Sequence, residues 1–447
     1  MKKISIEKLT NYVNGKLLKN NGDSEIKRVV IDNREAKKED LFIPIIGEVH
    51  DGHKFMEGAY TNGTRTFLVD KNHTFDKDDI NLIEVEDTTI ALGDLARNYR
   101  NDFNIPFIAI TGSVGKTSTK DIIYSVLSTK YNTLKTEGNL NNDIGLPRTL
   151  LKLEDEEAAV IEMGMDKKGE LDYLSKITNP DIAVITNIGQ SHIMNFKDGQ
   201  DGIFKAKMEI TNGLKPNGTL IVNGDDKYLR TLKDKDHSYR FITCGFEEGN
   251  DIYCESYELK DNSMKFTAMY NNEKHDFIIN SPAKHNILNS LFSIAIANIY
   301  DINDDQIQEG LSNFKLSANR LDVIKTDKYT IINDTYNASY DSMKSGLEVL
   351  NNYNTRKVAI LGDILELGSY SEKIHRDVGK LVDCDLLITI GNDSKYISEE
   401  ANVENYHFNT KDEFYNKAEN LLKDGDTILV KASRGIELDK VVEYLRD

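Results

Sequence analysis

Apolar runs alternate with helical stretches through the middle of this chain. Four short apolar runs are each followed by a polar or glycine-rich turn, at residues 107–110, 158–161, 182–186 and 219–222. Nearly continuous apolar strands separated by helices are typical of a parallel sheet whose two faces are both covered. The pattern therefore predicts an α/β fold with a mostly parallel sheet in this region.

The same alternation returns closer to the C-terminus, after a predicted helix at about 285–300. Apolar runs occur there at 330–332, 358–361, 386–390 and 427–430. They predict a second doubly wound, Rossmann-like sheet, although no Gly-x-Gly-x-x-Gly dinucleotide fingerprint accompanies them. The first hundred residues instead mix short strands, at 29–31, 41–43 and 66–69, with a helix at 92–99.

A chain of 447 residues is too long for a single hydrophobic core. The changes of pattern place one predicted boundary near the connection at 101–104 and another near the polar turn at 317–320. We therefore expect three domains, at 1–104, 105–315 and 316–447.

A phosphate-binding loop is the strongest chemical signal. The first central strand runs into Thr-Gly-Ser-Val-Gly-Lys-Thr-Ser and then a helix. Gly112 and Gly115 allow successive N–H groups to face phosphate oxygens, while Lys116 supplies charge and the Thr117 hydroxyl reaches Mg²⁺. Ile110 stands where the general signature has its first glycine, so that signature is incomplete. The expected nucleotide-binding residues of the loop are Thr111, Gly112, Ser113, Val114, Gly115, Lys116, Thr117 and Ser118.

Polar residues follow the other central strands at the same predicted sheet edge. Glu162 ends the second strand, His192 follows the third, and Asp225 and Asp226 follow the fourth. Ligands bind beyond the carboxyl ends of parallel strands, so these groups are expected beside the phosphate loop. Thr117, Glu162 and His192 are candidate Mg²⁺ ligands, although imidazole is an uncommon one. The alternatives are a helix cap for Glu162 and a plain turn for His192.

Composition narrows the function classes. The net charge of −18 argues against a general affinity for nucleic acid or anionic membranes. The N-terminal segment lacks the apolar core of a signal peptide, and no apolar stretch is long enough to span a bilayer. The three cysteines lack metal-ligand spacing, and they indicate buried free thiols in a reducing compartment, with a Cys244–Cys254 pair as the alternative. We expect a cytoplasmic monomer.

An ordered set of motifs resembles one known family. After the phosphate loop come Asn141-Asn-Asp-Ile-Gly145, Glu162-Met-Gly164, the segment Asn187 to His192, Lys205-Ala-Lys207, Asn223-Gly-Asp-Asp226 and His285-Asn-Ile-Leu-Asn289. The set is similar to that of the Mur ligases, the ATP-dependent amide-forming enzymes of peptidoglycan precursor synthesis. Their phosphate loop is shortened in the same way. The resemblance covers essentially the whole chain.

The last third of the chain narrows the resemblance to one branch of that family. Its motifs are Asn333-Asp-Thr-Tyr-Asn-Ala338, Leu361-Gly-Asp-Ile-Leu-Glu-Leu-Gly368 and Leu429-Val-Lys-Ala-Ser-Arg434. They resemble the branch that adds D-alanyl-D-alanine to UDP-N-acetylmuramoyl-tripeptide. The resemblance implies the three-domain architecture, ATP with two Mg²⁺ ions, and an acyl-phosphate intermediate that the dipeptide amine attacks.

The resemblance also implies roles for individual residues. Lys116, Glu162, His192 and Lys207 are the implied catalytic set, and Lys207 matches a lysine that is carbamylated in several relatives. By its surroundings alone, Lys207 reads as one more solvated helix lysine. Asn289, Arg320 and Asp334 match positions that contact ATP. The implied substrate-binding residues are Asp32, Asn33, Arg34, Gly47, Asp51, His53, Asn141, Asn142, Asn337 and Asp363.

Three alternatives remain open. The protein could be the ligase that adds the third residue of the stem peptide, or a folylpolyglutamate-type ligase. The Leu-Gly-Asp-Ile-Leu-Glu-Leu-Gly segment and the uridine-binding N-terminal segment argue against both. It could also be a nucleotide-binding homologue without catalysis, although such a protein has no need to keep Lys116, Thr117, Glu162 and His192. A GTPase is disfavoured because no Asn-Lys-x-Asp sequence is present.

Overall fold

Three large sheets organise the computed structural model, which describes residues 1–22, 25–47, 49–260, 262–315 and 319–446. We refer to the N-terminal unit (4–100), the central unit (107–313) and the C-terminal unit (319–446). Within the described ranges, no helix is both long and apolar enough to cross a membrane.

The N-terminal unit is built on a five-stranded sheet of order β2-β7-β6-β5-β4, in which only the β2–β7 pair is antiparallel; β1 and β3 form a separate antiparallel pair. Its strands are β1 (Ile4–Ser5), β2 (Lys16–Lys19), β3 (Glu25–Ile26), β4 (Arg28–Val30), β5 (Asp40–Phe42), β6 (Thr66–Asp70) and β7 (Asn81–Val85). Its helices are α1 (Ile6–Tyr12), α2 (Met56–Thr61) and α3 (Thr88–Arg100).

The central unit carries a nine-stranded sheet of order β16-β15-β14-β13-β12-β11-β8-β10-β9, parallel from β9 to β14 and antiparallel from β14 to β16. Its strands are β8 (Phe107–Thr111), β9 (Thr133–Lys135), β10 (Ala158–Glu162), β11 (Ile182–Ile185), β12 (Thr219–Asn223), β13 (Arg240–Gly245), β14 (Ile252–Lys260), β15 (Ser263–Tyr270) and β16 (Glu273–Ile279). Its helices are α4 (Lys116–Leu127), α5 (Gly145–Leu150), α6 (Glu170–Thr178), α7 (Gln200–Met208), α8 (His285–Ile299) and α9 (Asp304–Asn313).

The C-terminal unit has a six-stranded sheet of order β17-β18-β22-β19-β20-β21, parallel except for the β17–β18 pair. Its strands are β17 (Asp322–Lys325), β18 (Thr330–Asn333), β19 (Lys357–Gly362), β20 (Leu386–Ile390), β21 (Asn405–Phe408) and β22 (Thr427–Lys431). Its helices are α10 (Tyr340–Asn351), α11 (Ser371–Gly379), α12 (Lys395–Glu400), α13 (Lys411–Leu421) and α14 (Asp439–Arg446).

The N-terminal and central units share one hydrophobic core. A single buried cluster includes Leu95 and Tyr99 of α3 together with Phe107 of β8 and Ile177 of α6. Next to it, the guanidinium of Arg100 donates to the carbonyls of Thr178 and Asn179, at 2.6 and 2.9 Å. Burial of both apolar surface and a hydrogen-bonded cation joins these two units firmly.

The C-terminal unit has its own cores, one on each face of its sheet. Ala283 is the central-unit residue among the buried members of the first cluster. The contact between the C-terminal and central units is therefore mostly polar, and it contains the cleft described below.

The predicted α/β class and the mostly parallel central and C-terminal sheets are confirmed. The apolar runs from 107 to 222 and from 330 to 430 each form a strand close to its predicted limits. The pattern did not predict the antiparallel extension β14–β16. The predicted domain limits remain predictions, and residues 316–318 at the second limit lie outside the described part of the chain.

Candidate active site

The phosphate loop lies between the end of β8 and the start of α4. At Gly112 a Cβ atom would lie 1.8 Å from Thr186 Oγ1, so a side chain does not fit there. Gly115 has a φ of +87° and leads directly into α4. The N–H groups of Ser113 and Val114 donate to Asn187 Oδ1, at 3.0 and 2.9 Å. The loop thus has the predicted strand–turn–helix geometry.

A cleft of about 610 Å³ opens in front of this loop, between the central and C-terminal units. Most of the predicted site residues line it. They are Ser113, Val114, Gly115, Lys116, Thr117, Ser118, Asn141, Glu162, His192, Asn289, Arg320, Asp334 and Asn337. Thr111 and Gly112 lie just behind it, at the end of β8.

Lys116 points back across the turn of the phosphate loop. Its Nζ atom donates to the carbonyl of Gly112 at 2.8 Å. Burial lowers the pKa of this ammonium group, Glu162 opposes the shift and Arg320 adds to it. The residue is partly exposed and lines the cleft, where a phosphate group would stabilise its charge.

Glu162 ends β10 and has one carboxylate oxygen without a partner. Oε1 accepts a hydrogen bond from Asn141 Nδ2 at 2.9 Å. Oε2 is buried and has no hydrogen-bond partner in the described part of the chain, and the residue is only 3% exposed. An unpartnered buried carboxylate oxygen is costly unless a proton or a cation meets it. The helix-cap alternative finds no support, because neither oxygen accepts from a helix N-terminus.

His192 lies on the turn after β11, in a left-handed conformation with φ +60°. Its Nδ1 atom is 2.9 Å from Glu366 Oε2 and 3.2 Å from Asp166 Oδ1. Burial lowers the pKa of the imidazole, while the two carboxylates oppose the shift. The carboxylates fix the ring through Nδ1, and no hydrogen bond to Nε2 is formed by the residues that the structure describes.

Lys207 of α7 is buried, at 2% exposure. Among the described residues, no hydrogen bond or ion pair holds its ammonium group. Burial, with a contribution from Lys116, holds the pKa of Lys207 well below its ordinary range. The alternative reading as a solvated surface lysine is therefore wrong.

The C-terminal unit contributes a second group of polar residues to the cleft. Arg320 Nη2 donates to Thr117 Oγ1 at 3.1 Å, and its guanidinium lies 3.9 Å from the ring centre of Tyr336. Asp334 forms a buried ion pair with Lys431, whose Nζ is 2.6 Å from Oδ2. The two units therefore meet directly at the phosphate loop.

Asn289 reaches the back of the same loop from α8. Its Oδ1 accepts from Thr119 Oγ1 at 2.9 Å, and its Nδ2 donates to Asn286 Oδ1 at 2.9 Å. Both ends of the amide are thus fixed, and one edge of the residue lines the cleft.

The substrate-binding candidates of the N-terminal unit lie outside the cleft, on loops that follow β4 and β5. Asp32 Oδ1 accepts from the backbone N–H and Nε of Arg34, both at 2.9 Å, and Arg34 itself is exposed. Asp51 Oδ1 accepts from His53 Nδ1 at 2.8 Å. Asn33 and Gly47 lie on the same two loops. Because β4 and β5 are parallel, both loops leave the same edge of the sheet.

Several predicted residues serve the fold locally. Asn142 Oδ1 accepts from the N–H of Gly145, and Asp363 accepts from three backbone N–H groups that follow β20. Asp225 and Asp226 bind loop N–H groups and do not line the cleft, contrary to their predicted position beside the phosphate loop. These hydrogen bonds hold the two carboxylates against neighbouring loops, so neither side chain extends into the cleft.

Sequence reasoning missed Asp166, Asn187, His285 and Glu366 as lining residues of the cleft. All four lie within or beside motifs that carried the family resemblance, so the signal was present. What was missing was the direction of each side chain, which depends on packing within the central unit for Asn187 and Asp166 and on contacts between units for His285 and Glu366.

Comparison with known proteins agrees with this geometry. Three family models match in order: "Mur ligase family, catalytic domain" over residues 25–100, "Mur ligase middle domain" over 110–297, and "Mur ligase, glutamate ligase domain" over 319–434. The UDP-N-acetylmuramoyl-tripeptide--D-alanyl-D-alanine ligase of Bacillus subtilis is 38% identical over 434 residues, which cover 94% of this chain and 93% of that protein.

Solved structures agree as well. A crystal structure of MurF from Acinetobacter baumannii has a TM-score of 0.93 and 32% identity, covering 100% of this chain and 99% of its own. The MurF ligase of Thermotoga maritima in complex with ADP has a TM-score of 0.86 and 27% identity, covering 94% and 97%. With similarity along its whole length, this chain belongs to the Mur ligase family.

Proposed function

We propose that this protein is the ATP-dependent ligase that joins D-alanyl-D-alanine to the terminal carboxylate of UDP-N-acetylmuramoyl-tripeptide, a step of peptidoglycan synthesis. The observation that carries the proposal is the convergence of three features in one cleft. These are the phosphate loop, the unpartnered Oε2 of Glu162, and Arg320 from the C-terminal unit. Relatives with that activity match the chain from end to end.

ATP fits the cleft through the phosphate loop. The N–H groups of Ser113 and Val114 are bound to Asn187, so the N–H groups at the start of α4 and the Lys116 side chain would hold the phosphates. Asn289, Arg320 and Asp334 would contact the rest of the nucleotide. Asn337 lines the same cleft and would contact the peptide. Arg320 already touches Thr117, so the C-terminal unit would add its charge to the nucleotide when the cleft is closed.

Mg²⁺ fits the donor set on the central unit. Glu162 offers a buried oxygen that has no hydrogen-bond partner among the described residues, and Thr117 offers a hydroxyl in the same cleft. His192, whose Nδ1 is fixed by carboxylates, would offer Nε2 to a second ion. When bound, the ions would neutralise charge on the phosphates and on the substrate carboxylate.

Carbamylation of Lys207 is part of the proposal. A carbamate forms only on a neutral amine, and the buried Lys207 has its pKa lowered in the required direction. The reaction would add CO₂ to Nζ with loss of one proton and convert a buried amine into an anion. That anion would lie close to the charge of Lys116.

The chemistry requires positioning and no covalent enzyme intermediate. A substrate carboxylate oxygen takes the γ-phosphoryl group of ATP, and ADP is released. The dipeptide nitrogen then attacks the acyl carbon, the bond to the phosphate oxygen breaks, and a proton leaves the nitrogen. Orientation of two bound reactants can supply roughly 7–11 kcal/mol of the barrier reduction.

The N-terminal unit would bind the uridine nucleotide. Its candidates are Asp32, Asn33, Arg34, Gly47, Asp51 and His53, with Arg34 available to the pyrophosphate because its side chain is exposed. Asn141, Asn142 and Asp363 would act near the peptide, the last two through the loops that they cap. We also propose that the protein is a monomer with domains at 1–104, 105–315 and 316–447.

The test is release of inorganic phosphate with ATP and Mg²⁺. UDP-N-acetylmuramoyl-tripeptide and D-alanyl-D-alanine are added separately and then together, and tripeptides with lysine and with diaminopimelate are compared. We expect turnover only with both substrates. Lys116→Ala should lower it by about 10²–10³-fold, because a preorganised charge on the phosphoryl group is lost. Lys205→Ala, on the exposed side of α7, is the matched control.

Two other outcomes would contradict the proposal. Turnover with a free amino acid in place of the dipeptide would indicate a ligase that adds a single residue. ATP binding without turnover on either tripeptide would indicate a non-catalytic homologue.

A further inference from the structure

Two carboxylates without an assigned role face the proposed ligation centre. Glu366 Oε2 and Asp166 Oδ1 flank His192 Nδ1, at 2.9 and 3.2 Å, and both residues line the cleft. Glu366 comes from the C-terminal unit, whereas Asp166 comes from the loop after β10. Their side chains are 62% and 69% exposed, so both oxygens remain accessible to a ligand in the cleft.

The loop that carries Glu366 is held in place by buried groups. His375 Nε2 accepts from the N–H of Ile364 at 3.0 Å, and Ser433 Oγ accepts from the N–H of Leu365 at 2.9 Å. Glu366 itself has a φ of +63°, a conformation that is costly for a residue with a side chain. Hydrogen bonds from surrounding residues can maintain a strained backbone conformation, and such strain is typical of residues with a functional role.

The proposed reaction brings a cation to this place. The α-amino group of a dipeptide has an ordinary pKa of about 8, so the dipeptide enters as an ammonium ion. Lys116 and Arg320 line the cleft and would repel it. Among the carboxylates of the cleft, Glu162 is assigned to Mg²⁺ and Asp334 is paired with Lys431.

Asp341 is the remaining carboxylate of the lining, and it lies on a different side. Its Oδ2 atom packs against Gly189, next to Ser113 of the phosphate loop. Glu366 and Asp166 are the pair beside His192, where the substrate carboxylate is expected.

We propose that Glu366, assisted by Asp166, binds the ammonium group of D-alanyl-D-alanine and places its nitrogen at the acyl carbon. One proton passes from the ammonium group to solvent before the neutral amine attacks, and a second leaves after the C–N bond forms. This inference rests on the proposed function and adds to it the residue that recognises the second substrate. The competing role for Glu366 is purely structural, as a contact that keeps the two units closed or orients His192.

Hydroxylamine separates these roles, because it is a small and largely uncharged nucleophile at neutral pH. Its nitrogen attacks the acyl carbon of the acyl phosphate, phosphate leaves, a proton passes to solvent, and a hydroxamate forms. The reaction needs ATP, the UDP-tripeptide and a closed cleft, but no site for an ammonium ion. We would measure hydroxamate formation and dipeptide ligation side by side on wild-type protein and Glu366→Gln.

We expect Glu366→Gln to lower kcat/KM for D-alanyl-D-alanine by about 10–100-fold, mainly through KM, since a charge-assisted hydrogen bond is lost. Hydroxamate formation and the Mg²⁺ concentration for half-maximal rate should stay within about twofold of wild type. Glu366→Asp should recover part of the loss, and Asp166→Asn should show a smaller loss of the same kind. Glu372→Gln, on the exposed side of α11, is the matched control.

An equal loss of both products in Glu366→Gln, or a raised Mg²⁺ requirement, would overturn the inference in favour of the structural role. Unchanged dipeptide kinetics would also overturn it. Wild-type protein that forms hydroxamate but does not ligate the dipeptide would contradict the choice of second substrate. Wild-type protein that forms neither product would contradict the proposed function itself.

Discussion

At the scale of single residues, the site is assembled from groups that are costly in isolation. In the part of the chain that the structure describes, Glu162 has a buried oxygen without a hydrogen-bond partner, and the buried Lys207 forms no ion pair. Each arrangement lowers stability in the absence of ligands. Such groups are retained where a ligand or a modification compensates for the lost stability. Glu162 and Lys207 both lie close enough to Lys116 of the phosphate loop to interact with its charge.

Lys207→Met should therefore separate stability from activity. We expect the free energy of unfolding to rise by about 1–3 kcal/mol, since the unpartnered amine is replaced by an apolar chain of similar length. Ligation should be lost. The folded-state pKa of Lys207 lies below the unfolded value, so the unfolded chain binds the extra proton. The stability gain should therefore grow as the pH falls from the ordinary lysine value of 10.5.

Urea unfolding at several pH values, together with phosphate release, tests this expectation. Lys205→Met, on the exposed side of the same helix, should change neither quantity appreciably. A Lys207→Met protein that is less stable than wild type would show that the amine has a stabilising partner.

At the scale of elements, helix α8 joins the central sheet to the C-terminal unit through its first residue. His285 Nδ1 lies 2.6 Å from Ser345 Oγ on α10. Burial, with a contribution from Lys431, lowers the pKa of this imidazole from 6.5 to about 4. The imidazole at the contact between the two helices is therefore neutral in the folded protein near pH 7.

This contact predicts a defined loss of stability in acid. Between pH 6.5 and about 4 the unfolded chain takes up a proton on His285 and the folded chain does not, so stability falls as the pH falls. The total is on the order of 3 kcal/mol. In His285→Gln the slope of unfolding free energy against pH should be smaller across this window. His50→Gln, in an exposed loop, should keep the wild-type slope, and equal slopes in all three proteins would contradict the expectation.

Strands and the phosphate loop were predictable at this scale because they depend on local pattern. The run at 386–390 is apolar at every position, and the structure buries all five residues of β20. The extension β14–β16 has the opposite character, since β14 is buried only at Ile252 and Cys254, near its start. These strands form by pairing with their neighbours in the sheet, so no apolar run in the sequence predicts them.

The site residues divide in the same way. Glu162 ends β10, and Lys116 opens α4 just after the turn that follows β8, so the ends of these strands fix their place. Asp363 resembled a ligand-binding residue by its motif, yet its carboxylate accepts hydrogen bonds from N–H groups that lie 29 to 31 residues further along the chain. Glu366 acts across two units, and only the packed molecule brings it to His192.

At the scale of the whole molecule, the units are joined unequally. The N-terminal and central units share a continuous apolar core, whereas the C-terminal unit meets the central one across a polar cleft. We therefore expect motion of the C-terminal unit against the other two, with Arg320 and Glu366 as the residues that move into the site.

The substitution Arg100→Ala tests whether the N-terminal and central units are firmly packed together. It removes the cation that binds the carbonyls of Thr178 and Asn179 and stacks 4.0 Å from the ring centre of Phe107. We expect the two units to unfold together and the free energy of unfolding to fall by about 3 kcal/mol, because two carbonyl groups lose a charged partner. Hydrogen exchange should rise in α3 and α6 together. Arg97→Ala, whose side chain pairs with Asp94 on the surface of the same helix, should cost less than about 1 kcal/mol. Faster exchange in α3 alone would show that the units unfold separately.

The shared core also makes the protein a molecular ruler. If the loops after β4 and β5 hold the uridine nucleotide and Glu162 marks the ligation centre, then a rigid body sets the span between them. One residue of extended peptide covers about 3.3–3.6 Å. A stem peptide that is one residue too short or too long would hold its carboxylate outside bonding reach of the phosphate loop. The enzyme would thus phosphorylate only a stem peptide of the correct length, and ATP would not be consumed on shorter or longer peptides.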